Sequence, residues 1–170
     1  MEPTFRYRVY PENQQVEKTA QSQFNLHRQV YNHALTQHYR PAPKHNKPSY
    51  TTLQNKLPKW KREWSEWSNT HSKALQMTIK RIYWAQDALD TLKERRYDVE
   101  RLKWKSPREY RSITYNQSGF DVDSNTDRTE HARLNLAKIG DFNLEYHREL
   151  PENTTIKQVI LKQETSGKWF

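Results

Sequence analysis

Asp87, Asp90 and Glu94 fall at i, i+3 and i+7, a spacing that places three carboxylates on one face of a helix, where such groups can hold a divalent metal. Lys80, Arg81, Lys93, Arg95 and Arg96 lie close enough in sequence to compensate them, so this face reads as solvated surface. Asp121, Asp123, Asn125 and Asp127 imitate the opening of a calcium loop. The sixth position is Thr126 instead of Gly and the twelfth is Ala132 instead of Glu, which removes the tight turn and the bidentate ligand. The histidines, at 27, 33, 38, 45, 71, 131 and 147, include no i, i+4 pair and no HExxH, and no GxSxG elbow supplies a nucleophile. Three dispersed glycines cannot build a phosphate-cradling loop, and the absence of cysteine excludes a zinc ribbon and a disulfide framework. No cofactor or metal is expected.

One stretch does suggest chemistry. Between Lys93 and Arg111 stand Lys93, Arg95, Arg96, Arg101, Lys103, Lys105, Arg108 and Arg111 against Glu94, Asp98, Glu100 and Glu109, with Tyr97, Trp104 and Tyr110 interleaved. Cations neutralise phosphates and release counterions, and aromatic faces accept unstacked bases, so the stretch points to nucleic acid. A solvated helix end that only keeps the protein soluble is the competing reading. The whole chain agrees with the first: 29 Lys+Arg against 20 Asp+Glu give +9 in 170 residues, and the sequence pI is near 9.7. Residues 1–60 carry +6, residues 61–120 +5 and residues 121–170 −2, so the last third is not the polyanion surface.

These side chains need elements to hold them. Apolar residues make up 33% of the chain and mean hydropathy is −1.24, so the core is thin and leans on six Trp and ten Tyr. No long apolar run exists to enter a membrane and no signal core opens the chain, which reads as cytoplasmic. Phe5 to Tyr10 alternates like a short strand before Pro11. Glu12 to Tyr39 turns helical and stops at Pro41, after which Lys44 to Lys47 form a basic connector that either touches phosphate or is merely solvated. Ser49 is placed to cap a short helix through Leu57, Pro58 to start Lys59–Trp67, and a long helix is expected from Thr70 to Arg96, with Leu75, Ile79, Ile82, Tyr83, Leu89 and Leu92 buried. Trp60, Trp64 and Trp67 recur at core spacing. Beyond about residue 105 the period changes from 3.6 to 2, and all three glycines fall between extended runs, the marks of hairpins.

Taken in order, these segments resemble the N-terminal region of TnpB-type proteins of insertion sequences, the OrfB transposases related to type V CRISPR effectors. Phe5–Pro11 resembles the opening strand, Val30-Tyr31-Asn32-His33-Ala34-Leu35 a first-helix motif, Tyr50–Leu57 the next short helix, and Ala74-Leu75-Gln76 the start of the long helix. Tyr110-Arg111-Ser112, Lys138-Ile139-Gly140 and Gly167–Phe170 match later strands and hairpins. The resemblance implies an α+β fold in which a helical, helix-turn-helix-like recognition lobe, residues 12–105, is inserted into an antiparallel β-rich wedge lobe made of residues 1–11 and 106–170.

It also implies function. In this family the two lobes grip a guide RNA and read a short duplex motif beside the DNA target. By position, the motif-reading residues are Tyr50, Gln54, Lys73, Gln76, Tyr115 and Asn116; Gln76 and Asn116 carry amides able to bond an adenine edge, or serve as a surface amide and a strand-end cap. Phosphate contacts fall to Arg6, Arg8, Lys44, Lys47, Arg95, Arg96, Arg101, Lys103, Lys105, Arg108 and Arg111, and base stacking to Trp104 and Tyr110. The family's RuvC-like nuclease domain and its zinc ribbon lie beyond a strand like Gly167–Phe170, so the chain alone is expected not to cut DNA. Two alternatives stand beside this: a subunit completed by a separately encoded nuclease part, and a non-catalytic regulator of transposition.

Overall fold

The computed structural model describes residues 2–40, 47–124 and 131–170. The fold is α+β: one short strand, three α-helices with a 3-10 turn among them, then five more strands. The elements are β1 (Val9–Pro11), α1 (Gln14–Tyr39), α2 (Tyr50–Glu63), α3 (Ser72–Glu94), β2 (Ser112–Asn116), β3 (Phe120–Asp123), β4 (His131–Leu136), β5 (Gly140–Glu145) and β6 (Gln158–Lys162). They divide into a β unit, Met1–Phe24 with Arg111–Phe170, and a helical unit, Asn25–Tyr110.

In the β unit an antiparallel sheet runs β1-β5-β4-β3 and a second pairs β2 with β6. The expected strand over Phe5–Tyr10 is shorter and later: only Val9–Pro11 joins the sheet, pairing with Phe142–Leu144. Pro11 is tolerated because β1 is an edge strand and needs no further ladder donor there. Trp169 closes this core. Its ring stacks on Phe24 at 5.5 Å and tilts against Phe142 at 6.0 Å, and its backbone carbonyl accepts from Val9 N–H at 3.1 Å. Gly140 opens β5 with φ +129°, and an added Cβ there would stand 3.0 Å from Val16 Cγ2, so both the backbone and the space call for glycine.

The helical unit is held by caps and aromatic packing. Ser49 Oγ accepts from Thr52 N–H at 3.2 Å, as the sequence implies, whereas α3 is capped by His71 through Ala74 N–H and begins later than Thr70. Pro58 does not open a new helix. It lies inside α2, exposed, and the helix continues to Glu63. The cost is one bond: Pro58 has no N–H for the Gln54 carbonyl. Trp67 accordingly sits in the 3-10 turn Ser65–Asn69 rather than in a helix from Lys59. Trp60 and Trp67 are buried and Trp64, 41% exposed, stacks on Trp67 at 4.7 Å. All three surround His33 within 5.6 Å, and desolvation there holds its imidazole below the usual histidine range.

Leu75, Ile79 and Ile82 are fully buried, but the far end of α3 leaves the core and Leu92 is exposed. The helix ends at Glu94 in a Schellman arrangement, Arg96 N–H to the Lys93 carbonyl at 2.9 Å and Tyr97 N–H to the Leu92 carbonyl at 3.0 Å. Arg96 occupies the left-handed position with φ 65°, where glycine costs least. Among the described residues no helix is long and apolar enough to cross a membrane.

Candidate nucleic-acid interface

Charge divides with the units. The helical unit carries 18 Lys+Arg against 8 Asp+Glu, a net +10, and the β unit 11 against 12, a net −1. The first strand and the early part of α1 belong to the neutral unit, so the cations concentrate more sharply than the thirds of the sequence indicate. In the β unit, Arg133 bridges Glu12 at 2.7 Å and Asp141 at 2.8 Å, and Lys157 pairs with Glu2. In the helical unit, Arg95, Arg96, Arg101 and Lys105 are exposed and form no ion pair among the described residues. Unpaired surface cations are the groups that a phosphate chain can neutralise without displacing a carboxylate.

Two clefts in the helical unit gather polar side chains. The first, about 490 Å³, lies where the first turns of α3 meet α2 and is lined by Gln54, Asn55, Lys61, Ser72 and Gln76 together with Leu57 and Pro58. Gln54, Pro58 and Lys61 follow one another at i, i+4, i+7 along one face of α2. Lys61 Nζ donates to Ser72 Oγ at 3.0 Å, tying the two helices. The Gln54 carbonyl, deprived of its helical donor by Pro58, belongs to the same stretch. Three amides and an ammonium beside a helix N-terminus form a surface able to bond base edges and phosphate together. Lys73 is exposed in the first turn of α3. Tyr50 is half-buried, edge-on to Tyr83 at 6.0 Å with the Lys80 ammonium 5.7 Å from its ring, and burial raises its phenol's pKa.

The second cleft, about 520 Å³, is built by an extended segment, Arg101–Lys105, lying along the end of α1. Asn32 grips Lys105 twice, Nδ2 donating to its carbonyl at 3.0 Å and Oδ1 accepting from its N–H at 2.8 Å. Tyr39 hydroxyl accepts from Leu102 N–H at 3.1 Å and donates to Gln86 Oε1 at 2.9 Å. Leu102 packs against the core cluster, and Arg101, Lys103 and Trp104 project as exposed residues that line the cleft with Tyr39 and Arg40. Lys103 pairs with Glu100 and holds that carboxyl below its usual range. The Arg101 guanidinium and the Lys47 ammonium stand 5.5 and 5.3 Å from the Tyr39 ring.

Residues 1–40 match the family model HTH_OrfB_IS605, a helix-turn-helix domain. The OrfB-like segment supplies β1 and the whole of α1, including the Asn32 and Tyr39 that fix the second cleft. The match makes residues 1–40 similar to an OrfB-type helix-turn-helix domain, a kind of domain that suggests DNA binding. No curated protein matches the chain.

The remaining positions expected from sequence are placed as follows. Tyr110 is 5% exposed, packed against Tyr31 at 5.8 Å, and offers no face to a base. Tyr115 is 1% exposed and spends its hydroxyl on the Ala137 carbonyl at 2.8 Å, so it cannot read a base edge; β2 buries Ile113, Thr114 and Tyr115 alike. Asn116 is half-buried at the end of β2 opposite Gln158. Arg6 pairs with Glu164 at 2.5 Å and lies 4.0 Å from the Phe170 ring centroid, while Arg8 is half-buried beside Tyr10 and Phe170. Arg111 is half-buried and donates to the Glu164 carbonyl at 3.4 Å, and Arg108 is exposed. Lys44 falls outside the described residues. Asp87, Asp90 and Glu94 are exposed, and Asp90 accepts from Gln86 at 2.9 Å. Of the opening of the calcium-like loop, Asp121 and Asp123 are exposed; its continuation lies outside the described residues. Sequence reasoning missed Asn55, Lys61, Ser72, Tyr39 and Arg40; the i, i+7 spacing of Gln54 and Lys61 is a local signal for Lys61 alone.

Proposed function

We propose that this chain is the nucleic-acid-binding part of a transposon-encoded TnpB/OrfB-type protein, gripping a guide RNA and a short DNA motif beside the target, and that by itself it does not cut DNA. The observation that carries the reading is the charge partition: +10 on the helical unit, where Arg95, Arg96, Arg101 and Lys105 form no ion pair among the described residues, against −1 on the β unit. Arg95, Arg96, Arg101 and Lys105 hold sugar-phosphate, and Gln54 and Gln76 read base edges from the cleft at the start of α3. The match of residues 1–40 to a helix-turn-helix domain supports the DNA half of this reading. The guide RNA half rests on the resemblance of the later segments and on the basic surface.

Mobility shifts with guide-like RNA and with duplex DNA test it. Binding weakens roughly 10³-fold between 50 and 200 mM salt if about six phosphates are neutralised. Absence of binding to both at low salt refutes the reading, and magnesium-dependent cleavage by the purified chain refutes its non-cleaving part.

A further inference from the structure

We infer that the cleft between Arg101–Lys105 and the end of α1 is a seat for one unpaired nucleotide of a single strand, its base stacked on Trp104 and its flanking phosphates held by Arg40, Arg101 and Lys103. The inference rests on the nucleic-acid reading above and adds to it the strandedness of the ligand at this site.

Trp104 is 66% exposed, the most exposed of the large apolar side chains, and its indole has no ring or cationic partner among the described residues. A tryptophan so placed on a mobile tail would gain little by binding, because ordering the backbone would offset the contact. Here the backbone is already held. Asn32 satisfies both polar groups of Lys105, Arg28 adds a donor to the same carbonyl at 3.4 Å, and Tyr39 satisfies Leu102 N–H. The strap is therefore pinned to the protein on both sides of Trp104, at Leu102 and at Lys105, by backbone bonds that leave the indole for a ligand.

The cleft's chemistry selects that ligand. Among the described residues three cations and no carboxylate line it, together with Leu35, Tyr39 and Leu102. Lys103 pairs with Glu100 at a fully exposed site, a contact that a phosphate can exchange at little cost. The volume of about 520 Å³ lies within the range of small-molecule sites and accommodates a nucleotide. In a duplex both faces of a base are covered by its neighbours, so only an unpaired base can present a face to the indole. Nothing in the cleft distinguishes ribose from deoxyribose, and the ligand is defined by its unpaired base and two phosphates.

Fluorescence anisotropy on the full chain decides it, using labelled oligothymidylate, oligouridylate, an abasic strand of the same length and a duplex, all at low salt. Trp104→Ala is expected to weaken one or both single strands about ten- to hundredfold, the loss typical of one base–aromatic stack. Trp104→Phe recovers most of that loss, and the abasic strand and the duplex bind the alanine variant and the parent alike. The single strand with the larger loss identifies which nucleic acid occupies the cleft. Thermal melting of both variants at the parent's temperature confirms that the fold is kept, as exposure of the ring requires. The inference is overturned if Trp104→Ala binds both single strands like the parent, or if it loses duplex and abasic strand equally. Duplex bound by the parent with neither single strand bound overturns this inference alone; no binding of any of these by the parent overturns the underlying reading as well.

Discussion

His27 makes the helical unit sensitive to acid in a way that can be calculated. Its imidazole is fully buried, Nδ1 stands 2.6 Å from Thr78 Oγ1, and Nε2 has no hydrogen-bond partner among the described residues. The Thr78 hydroxyl donates to the Ala74 carbonyl at 3.3 Å, so it accepts from His27 Nδ1–H and leaves a dry lone pair on Nε2. Protonating Nε2 would place a charge where no water reaches. Desolvation, with the cationic Arg81 and Lys61 and with His71 nearby, lowers the pKa from 6.5 to about 3. Because the folded value is depressed, the unfolded chain binds the extra proton between pH 6.5 and 3. Stability is intact above pH 6.5 and falls as pH drops through that window, by about 2 kcal/mol at pH 5 and about 4 kcal/mol near pH 3. Carboxylates also titrate at low pH, so the test is a difference: urea unfolding of the parent and of His27→Asn at pH 7.5 and pH 5. Asn keeps a group where Nδ1 stands and removes the titration. The gap between the two proteins should shift by about 2 kcal/mol in favour of the variant on going to pH 5. A gap unchanged with pH refutes the reasoning.

Two further substitutions probe the second cleft and the end of α3. Asn32→Ala removes both bonds to the Lys105 backbone, and hydrogen exchange over Arg101–Lys105 should accelerate by the factor corresponding to about 1–2 kcal/mol of lost local protection; unchanged exchange would show that the strap is held by other contacts. Arg96→Gly should raise stability by about 0.5–1 kcal/mol in thermal unfolding, since Arg96 sits at φ 65°, while weakening nucleic-acid binding and lowering its salt slope by about one unit. Stability and affinity moving in the same direction would contradict the assignment.

Much of the fold is legible in the sequence because its signals are local. Ser49, the Pro41 stop and the change of period near residue 105 each act through neighbours a few residues away, and α1, α2, α3 and the hairpins follow. The misses are non-local. Pro58 reads as a helix start, but a solvent-facing proline can sit inside a helix whose other face is anchored by Leu53, Leu57 and Trp60. Tyr110 reads as a stacking residue because it stands in a basic stretch, yet its burial is decided by Tyr31, far away in the chain. The alternation around Tyr115 suggests one solvated face, but β2 is covered on both. The strap is illegible for the same reason: nothing near Lys105 reveals that Asn32 will hold its backbone.

The charge pattern separates position from purpose. If the excess cations served only solubility, their pairing with carboxylates would be indifferent to which unit they belong to. Instead the β unit joins ions distant in sequence, Arg6 to Glu164 and Arg133 to Glu12, and there the cations and carboxylates nearly balance. In the helical unit the observed pairs are short-range, Lys59 with Glu63 and Lys103 with Glu100, both solvent-exposed and worth little. Among the described residues Arg95, Arg96 and Arg101 form no ion pair, and Arg96 adopts a backbone conformation that glycine would adopt more easily. A protein that holds unpaired cations on one unit bears their mutual repulsion, and that repulsion is relieved when a polyanion binds there.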